Sequence, residues 1–176
     1  MTVADWLQTA EQNQIKEVID GYGEERFAAR IAAAIVARRA AQPITTTGQL
    51  ARLVASVVKT REKGQDPATR TFQAFRIFIN RELEELDAIL AQAQRLLKPQ
   101  GRLVVISFHS LEDRIVKRAL APSKLDTALR HLPIRGDGVT PSVWTTLGKI
   151  KPSQAEIRAN PRARSAIMRI AQRAAR

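Results

Sequence analysis

The sequence contains no cysteine. That removes disulfide scaffolds, thiolate catalysis and cysteine-type zinc sites together. It has no run of about 18 apolar residues, the length a membrane-spanning helix needs. Its first stretch places Asp5 and Glu11 among polar side chains and lacks the apolar segment that directs secretion. The expected location is therefore the cytoplasm, with no membrane partner. A glycine-rich nucleotide loop is missing as well. Gly-x-Gly occurs only at Gly21-Tyr22-Gly23 and Gly136-Asp137-Gly138, and neither follows a run that reads as a buried strand. No internal repeat or low-complexity segment is present, and no metal site is expected.

Acidic residues are scarce relative to basic ones. There are 17 Asp and Glu against 29 Lys and Arg, a formal charge of +12. Such an excess attracts a polyanion, nucleic acid foremost, although a solvated surface is the competing reading. The imbalance is strongest near the end, where Lys149, Lys151, Arg158, Arg162, Arg164, Arg169, Arg173 and Arg176 face Glu156 alone. With 44% hydrophobic and 26% charged residues, the composition is that of a folded chain. Its 176 residues suffice for one ordinary domain or two small ones.

The first hundred residues read as helices. Thr9 and Gln12 suggest a capping box before a periodic stretch ending at Gly21. Phe27, Ile31 and Ile35 share one face of a second helix, stopped at Gln42-Pro43. Thr47 suits the cap of a third, with Leu50, Leu53, Val54, Val57 and Val58 at helical spacing. Residues 59–65 read as a charged loop. Asp66-Pro67 is a strong helix start. The stripe Phe72, Phe75, Ile79, Leu83, Leu86, Leu90 and Leu97 then predicts a helix of roughly 45 Å if unbroken, with a kink expected near Asn80.

The pattern changes after residues 98–101. Residues 102–108 contain four successive apolar residues, which predicts a strand buried on both faces, central and parallel. Ser110 and Asp113 suit the capped start of a helix running to about Ala121. Residues 122–143 read as a mobile loop, Trp144–Ile150 as a strand, 153–159 as a short helix and 164–171 as an edge-type strand. A doubly buried strand needs neighbours that nothing earlier in the chain supplies. The expectation is that the other strands belong to a preceding segment.

Four stretches carry a family resemblance: GYGEERF at 21–27, DPATRTFQAFRIFINREL at 66–83, GRLVVISFHSLEDRIVKR at 101–118 and NPRARS at 160–165. In this order they resemble the bacterial 16S ribosomal RNA (cytosine-N4)-methyltransferases over essentially the whole chain. Asp66 stands where that family usually has His, and Gln100 where Gly is common. The resemblance implies an α/β fold: an inserted helical substrate-recognition domain (1–80) plus the C-terminal part of a doubly wound methyltransferase sheet (81–176). The N-terminal strands that bind S-adenosylmethionine would be missing, so no cofactor-binding residue is assigned.

The resemblance further implies methylation of N4 of a decoding-site cytosine, position 1402 of 16S ribosomal RNA, with the small ribosomal subunit as partner. As a truncated form the chain would be inactive alone, its other candidate partners being the missing N-terminal half or a second copy at an open sheet edge. The alternative is a non-catalytic basic RNA-binding module. The N4 lone pair is delocalised into the ring, so the base must be unpaired, aligned and relieved of a proton. Ser107 and His109 lie at the carboxyl end of the strand, where ligands of such sheets sit. His109 is a candidate proton acceptor or base-orienting group, and the turn and helix cap are the plainer role for both residues. Phe108 suits either base stacking or core packing. Arg70, Arg76 and Asn80 share a helical stripe with Gln73, suited to phosphates or to holding the two domains together. Arg114, Lys117 and Arg118 suit backbone phosphates or a solvated face, and Arg162 and Arg164 are RNA candidates on charge. Trp6 and Trp144 read as core anchors.

Overall fold

A computed structural model describes residues 1–58, 66–121 and 142–175. The readings of 59–65, of most of 122–143 and of Gly136-Asp137-Gly138 fall on residues outside these. The described chain forms two compact units, Met1–Glu82 and Leu83–Arg176.

The first unit is helical. α1 (Val3–Thr9) was not foreseen; Thr2 caps it, and the Asp5 carboxylate accepts in return from the Thr2 amide. α2 (Gln12–Gly23) starts at a box formed by Glu11 and Gln14 instead of Thr9 and Gln12. α3 (Ala28–Ala41) has Phe27 as its N-cap, and α4 (Thr47–Val57) is capped by Thr46 with Gln49. α5 (Thr69–Asn80) begins two residues past Pro67, and the Asp66 carboxylate accepts from the Ala68 amide at 2.8 Å. The apolar faces converge on one core containing Ile15, Ile19, Ile31, Ile35, Leu50, Val54 and Phe75. Trp6 packs edge-on against Phe75 and tilted against Phe78, with ring centroids 5.8 and 4.7 Å away.

The long stripe is divided between two helices. Arg81 adopts left-handed backbone angles, φ 54°, which closes α5 before α6 (Glu82–Leu96) begins. A residue in that region ends the i to i+4 ladder.

The second unit contains α6, β1 (Arg102–Ser107), α7 (Ser110–Ala119), β2 (Trp144–Ile150), α8 (Gln154–Ala159), a 3-10 turn at Pro161–Ser165 and β3 (Ile167–Arg173). The sheet order is β1-β3-β2, with both pairings antiparallel. Among the described residues β1 is hydrogen-bonded on one side, antiparallel to β3, so a central place buried on both faces needs strands that these residues do not supply. Leu103 and Val105 join a core with Leu90, Val116, Leu120, Trp144 and Ala171, whereas Val104 and Ile106 on the opposite face are 52% and 53% exposed. A run of β-branched residues registers strand preference regardless of which faces are covered. β3, read as an edge strand, is the central one. Its arginines misled because both are engaged inside the unit: Arg169 pairs with Asp113, and Arg173 donates through Nη1 to the Leu97 carbonyl.

Candidate functional site

At the carboxyl end of β1 the chain turns into α7 through Phe108 and His109. His109 is the N-cap of that helix, in place of Ser110. Its Nδ1 accepts from the Glu112 amide at 3.4 Å. Glu112 reciprocates: its Oε2 accepts from the Phe108 amide at 2.8 Å and the His109 amide at 3.3 Å, and its Oε1 lies 3.5 Å from His109 Nε2. An imidazole whose Nδ1 accepts carries its ring proton on Nε2. Nδ1 thus faces the Glu112 amide and Nε2 the Glu112 carboxylate, which places His109 as the cap of the helix. Ser107 is 2% exposed, and its hydroxyl meets no hydrogen-bond partner among the described residues. Phe108 is 54% exposed, so the packing alternative does not hold within this unit.

Asp113, expected at the cap, instead receives two hydrogen bonds from Arg169, 2.6 Å from Nε and 2.9 Å from Nη2. Those bonds hold its carboxyl below the usual range against the desolvation that would raise it. The charges of Arg169, Lys149 and Lys117 act in the same direction as the bonds. The Arg169 guanidinium is correspondingly pushed up by Asp113. Asp113 and Arg169 are 56 residues apart, and nothing in the sequence marks them as partners. Lys117 and Arg118 are exposed in the last turn of α7, where the helix dipole favours cations. Arg114 is exposed but engaged. Arg162 and Arg164 project from the 3-10 turn, anchored by buried Ala163.

In the helical unit the polar stripe of α5 is used internally. Arg70 donates to the Glu24 carbonyl at 3.1 Å and Gln73 to the Tyr22 carbonyl at 3.4 Å, tying α5 to the end of α2. Arg76 grips Glu82 with two bonds of 2.8 and 2.9 Å, and Asn80 donates to the same carboxylate at 3.2 Å. Glu82, unremarked in the sequence, is thus the common acceptor across the helix break. Arg76 and Asn80 also line a cavity of about 370 Å³ with Thr2, Leu7, Ile44, Phe72 and Ile79.

A nucleoside-type methyl donor needs a strand-to-helix turn with free amides or an acidic residue for its ribose. In the turn after β1 the Phe108 and His109 amides are already donated to Glu112, so this pair is not available to such a donor. Among them no three His, Asp or Glu side chains converge on a metal-binding geometry, and no helix is long and apolar enough to cross a membrane.

Comparison with known proteins places these features in a lineage. A family model described as the MraW methylase family matches residues 1–174. The chain is 60% identical over 174 residues to "Ribosomal RNA small subunit methyltransferase H" of Janthinobacterium sp. (strain Marseille), covering 98% of this chain and 54% of that protein. The protein of the same name from Herminiimonas arsenicoxydans is 60% identical with the same coverage. That from Dechloromonas aromatica (strain RCB) is 59% identical, covering 98% of this chain and 56% of its own length. The chain spans about half the length of the curated relatives it matches.

Proposed function

Since the chain belongs to the MraW methylase family, we propose that it serves methyl transfer to small-subunit ribosomal RNA in the cytoplasm, at N4 of a decoding-site cytosine with S-adenosylmethionine as donor. The observation that carries this reading is the identity of 60% over nearly the whole chain to proteins named as ribosomal RNA small subunit methyltransferases. In this reading Met1–Glu82 contributes to substrate recognition, and Leu83–Arg176 is the closing part of a larger methyltransferase sheet.

The second unit supports that division of labour. Val104, Ile106 and Ile150, about half exposed, form an apolar sheet face with Met168 and Ile170 through the strand register. A face of that kind is stable when covered, and the free edge of β1 offers a row of backbone groups for another strand. The covering polypeptide is the part of the relatives' length that this chain does not span, and it also supplies the donor site. Ser107 then lies at the junction, its buried hydroxyl awaiting a partner. His109 keeps the turn rigid, and Arg114, Lys117, Arg118, Arg162 and Arg164 meet RNA phosphates. Arg70, Arg76 and Asn80 shape the helical unit's recognition surface.

The filled turn after β1 favours one further reading, a basic RNA-binding module without catalysis. One experiment separates the two. Small ribosomal subunits lacking the methyl group are incubated with labelled donor and this chain. A second reaction adds the segment of the Herminiimonas arsenicoxydans relative that this chain does not span. Label in the rRNA only after that addition supports the enzymatic reading. RNA binding without methylation in either reaction supports the module. Saturable donor binding by this chain alone, measured by calorimetry, contradicts the placement of the donor site elsewhere.

A further inference from the structure

The turn between α2 and α3 contains a motif that the proposed function leaves largely unused. Within residues 21–27, packing accounts for most positions. A Cβ on Gly23 would stand 2.7 Å from the Arg70 carbonyl oxygen. Glu25 is buried, and its carboxylate accepts from the Phe27 amide at 2.9 Å. Phe27 packs against the core of the helical unit. Arg26 has no such task. Its guanidinium lies over the Phe27 ring, 4.8 Å from the centroid, and Arg30 lies over the same ring at 6.0 Å. Both arginines are exposed, and neither meets a carboxylate among the described residues. The first turn of α3 contains no acidic residue, and a cation there opposes the helix dipole. The arrangement works against local stability, and what it provides is two exposed guanidiniums beside one ring.

We propose that Arg26 and Arg30, held by Phe27, form a clamp for the phosphodiester backbone of RNA. The proposal rests on the reading of this chain as acting on ribosomal RNA. A guanidinium stacked on a ring keeps its in-plane N–H groups available, and those match the oxygen pair of a phosphate. Anchoring on the ring also removes side-chain freedom before RNA arrives, which lowers the entropic cost of binding. An acidic protein surface could meet the same guanidiniums, but the +12 charge of the chain favours a long polyanion over an isolated carboxylate cluster.

The test uses the whole 176-residue chain and a fluorescein-labelled single-stranded RNA oligonucleotide, titrated across a salt series. Arg26→Ala with Arg30→Ala is compared with Arg38→Gln and Arg52→Gln, exposed arginines elsewhere in the same unit. The first pair is expected to weaken binding about five- to tenfold and to reduce the salt slope by about 1.4, two phosphate contacts on a single strand. The second pair is expected to change affinity less than about twofold. Phe27→Leu keeps both charges and an apolar contact, so an intermediate loss supports the positioning role of the ring. Circular dichroism verifies that each variant is folded. Equal losses from the two arginine pairs, or no loss from the first, overturn the clamp while leaving the rRNA reading standing. Absence of RNA binding by the unsubstituted chain overturns both. Competition by polyglutamate as effective as by unlabelled RNA assigns the patch to an acidic protein and overturns the RNA clamp.

Discussion

Gly23 illustrates how a single position governs a helix contact. The Arg70 carbonyl approaches so closely that a methyl group cannot fit without moving backbone. Gly23→Ala is expected to destabilise the helical unit by about 1–3 kcal/mol, as overpacking does elsewhere, measurable as a lower midpoint in urea unfolding. At the same scale the Asp113–Arg169 pair sets a pH dependence. The carboxyl of Asp113 titrates below its ordinary value in the folded chain. Its contribution is therefore present above about pH 4, the unfolded value, and is lost as the pH falls through the folded one. Asp113→Asn is expected to lower stability at neutral pH by about 3 kcal/mol, since it leaves Arg169 largely buried without its charge partner. The variant should also lack the part of the acid-induced loss that this carboxyl causes. Parallel urea titrations at pH 7 and pH 3 measure both effects, and an unchanged pH profile contradicts the assignment.

Among the elements, the sheet has one strand that is hydrogen-bonded on both sides. β3 pairs with β1 and β2, whereas β1 has an open edge among the described residues. Amides of β3 are expected to exchange with solvent more slowly than those of β1 that point outward, because opening β3 disrupts two ladders. Hydrogen exchange followed by mass spectrometry resolves the two strands, and equal protection would mean that the edge of β1 is covered by another chain. The helices were easier to read than the strands for a physical reason. A 3.6-residue periodicity is local, and the cores of α2 to α5 follow it closely. Caps slipped by one or two residues, as at Glu11 and Thr46, because several neighbouring polar side chains suit a cap and packing chooses among them. The missed α1 is too short for periodicity to show.

For the whole molecule, the exposed sheet face gives the decisive test of how this chain works with other polypeptide. Val104→Lys with Ile106→Lys puts charge where the described chain leaves apolar surface open. The substitutions are expected to leave the isolated chain's thermal midpoint within about 3 °C, the size of shift that surface substitutions produce. They are expected to abolish methylation rescued by the added segment of a relative. Rescue at the unsubstituted level would show that this face is not the docking surface. Light scattering separates a second copy of this chain from that reading, since self-association would double the mass without any addition.

The sequence by itself determined the family, the helical character of the first part, the change to strand near residue 102 and the basic surface. Each of these is encoded in local periodicity, composition or contiguous motif. It also placed Ser107 and His109 at the end of a strand, because the turn and its cap lie within a few residues of each other. Only the tertiary structure decided that β3 is central, that Arg169 meets Asp113, that Glu82 gathers Arg76 and Asn80, and that two arginines share the ring of Phe27. Strand order and ion pairing depend on which distant surfaces meet, and no local pattern specifies a partner 56 residues away. The exposed half of β1 follows the same rule: a strand's composition expresses a preference for burial, and its neighbours decide whether burial occurs.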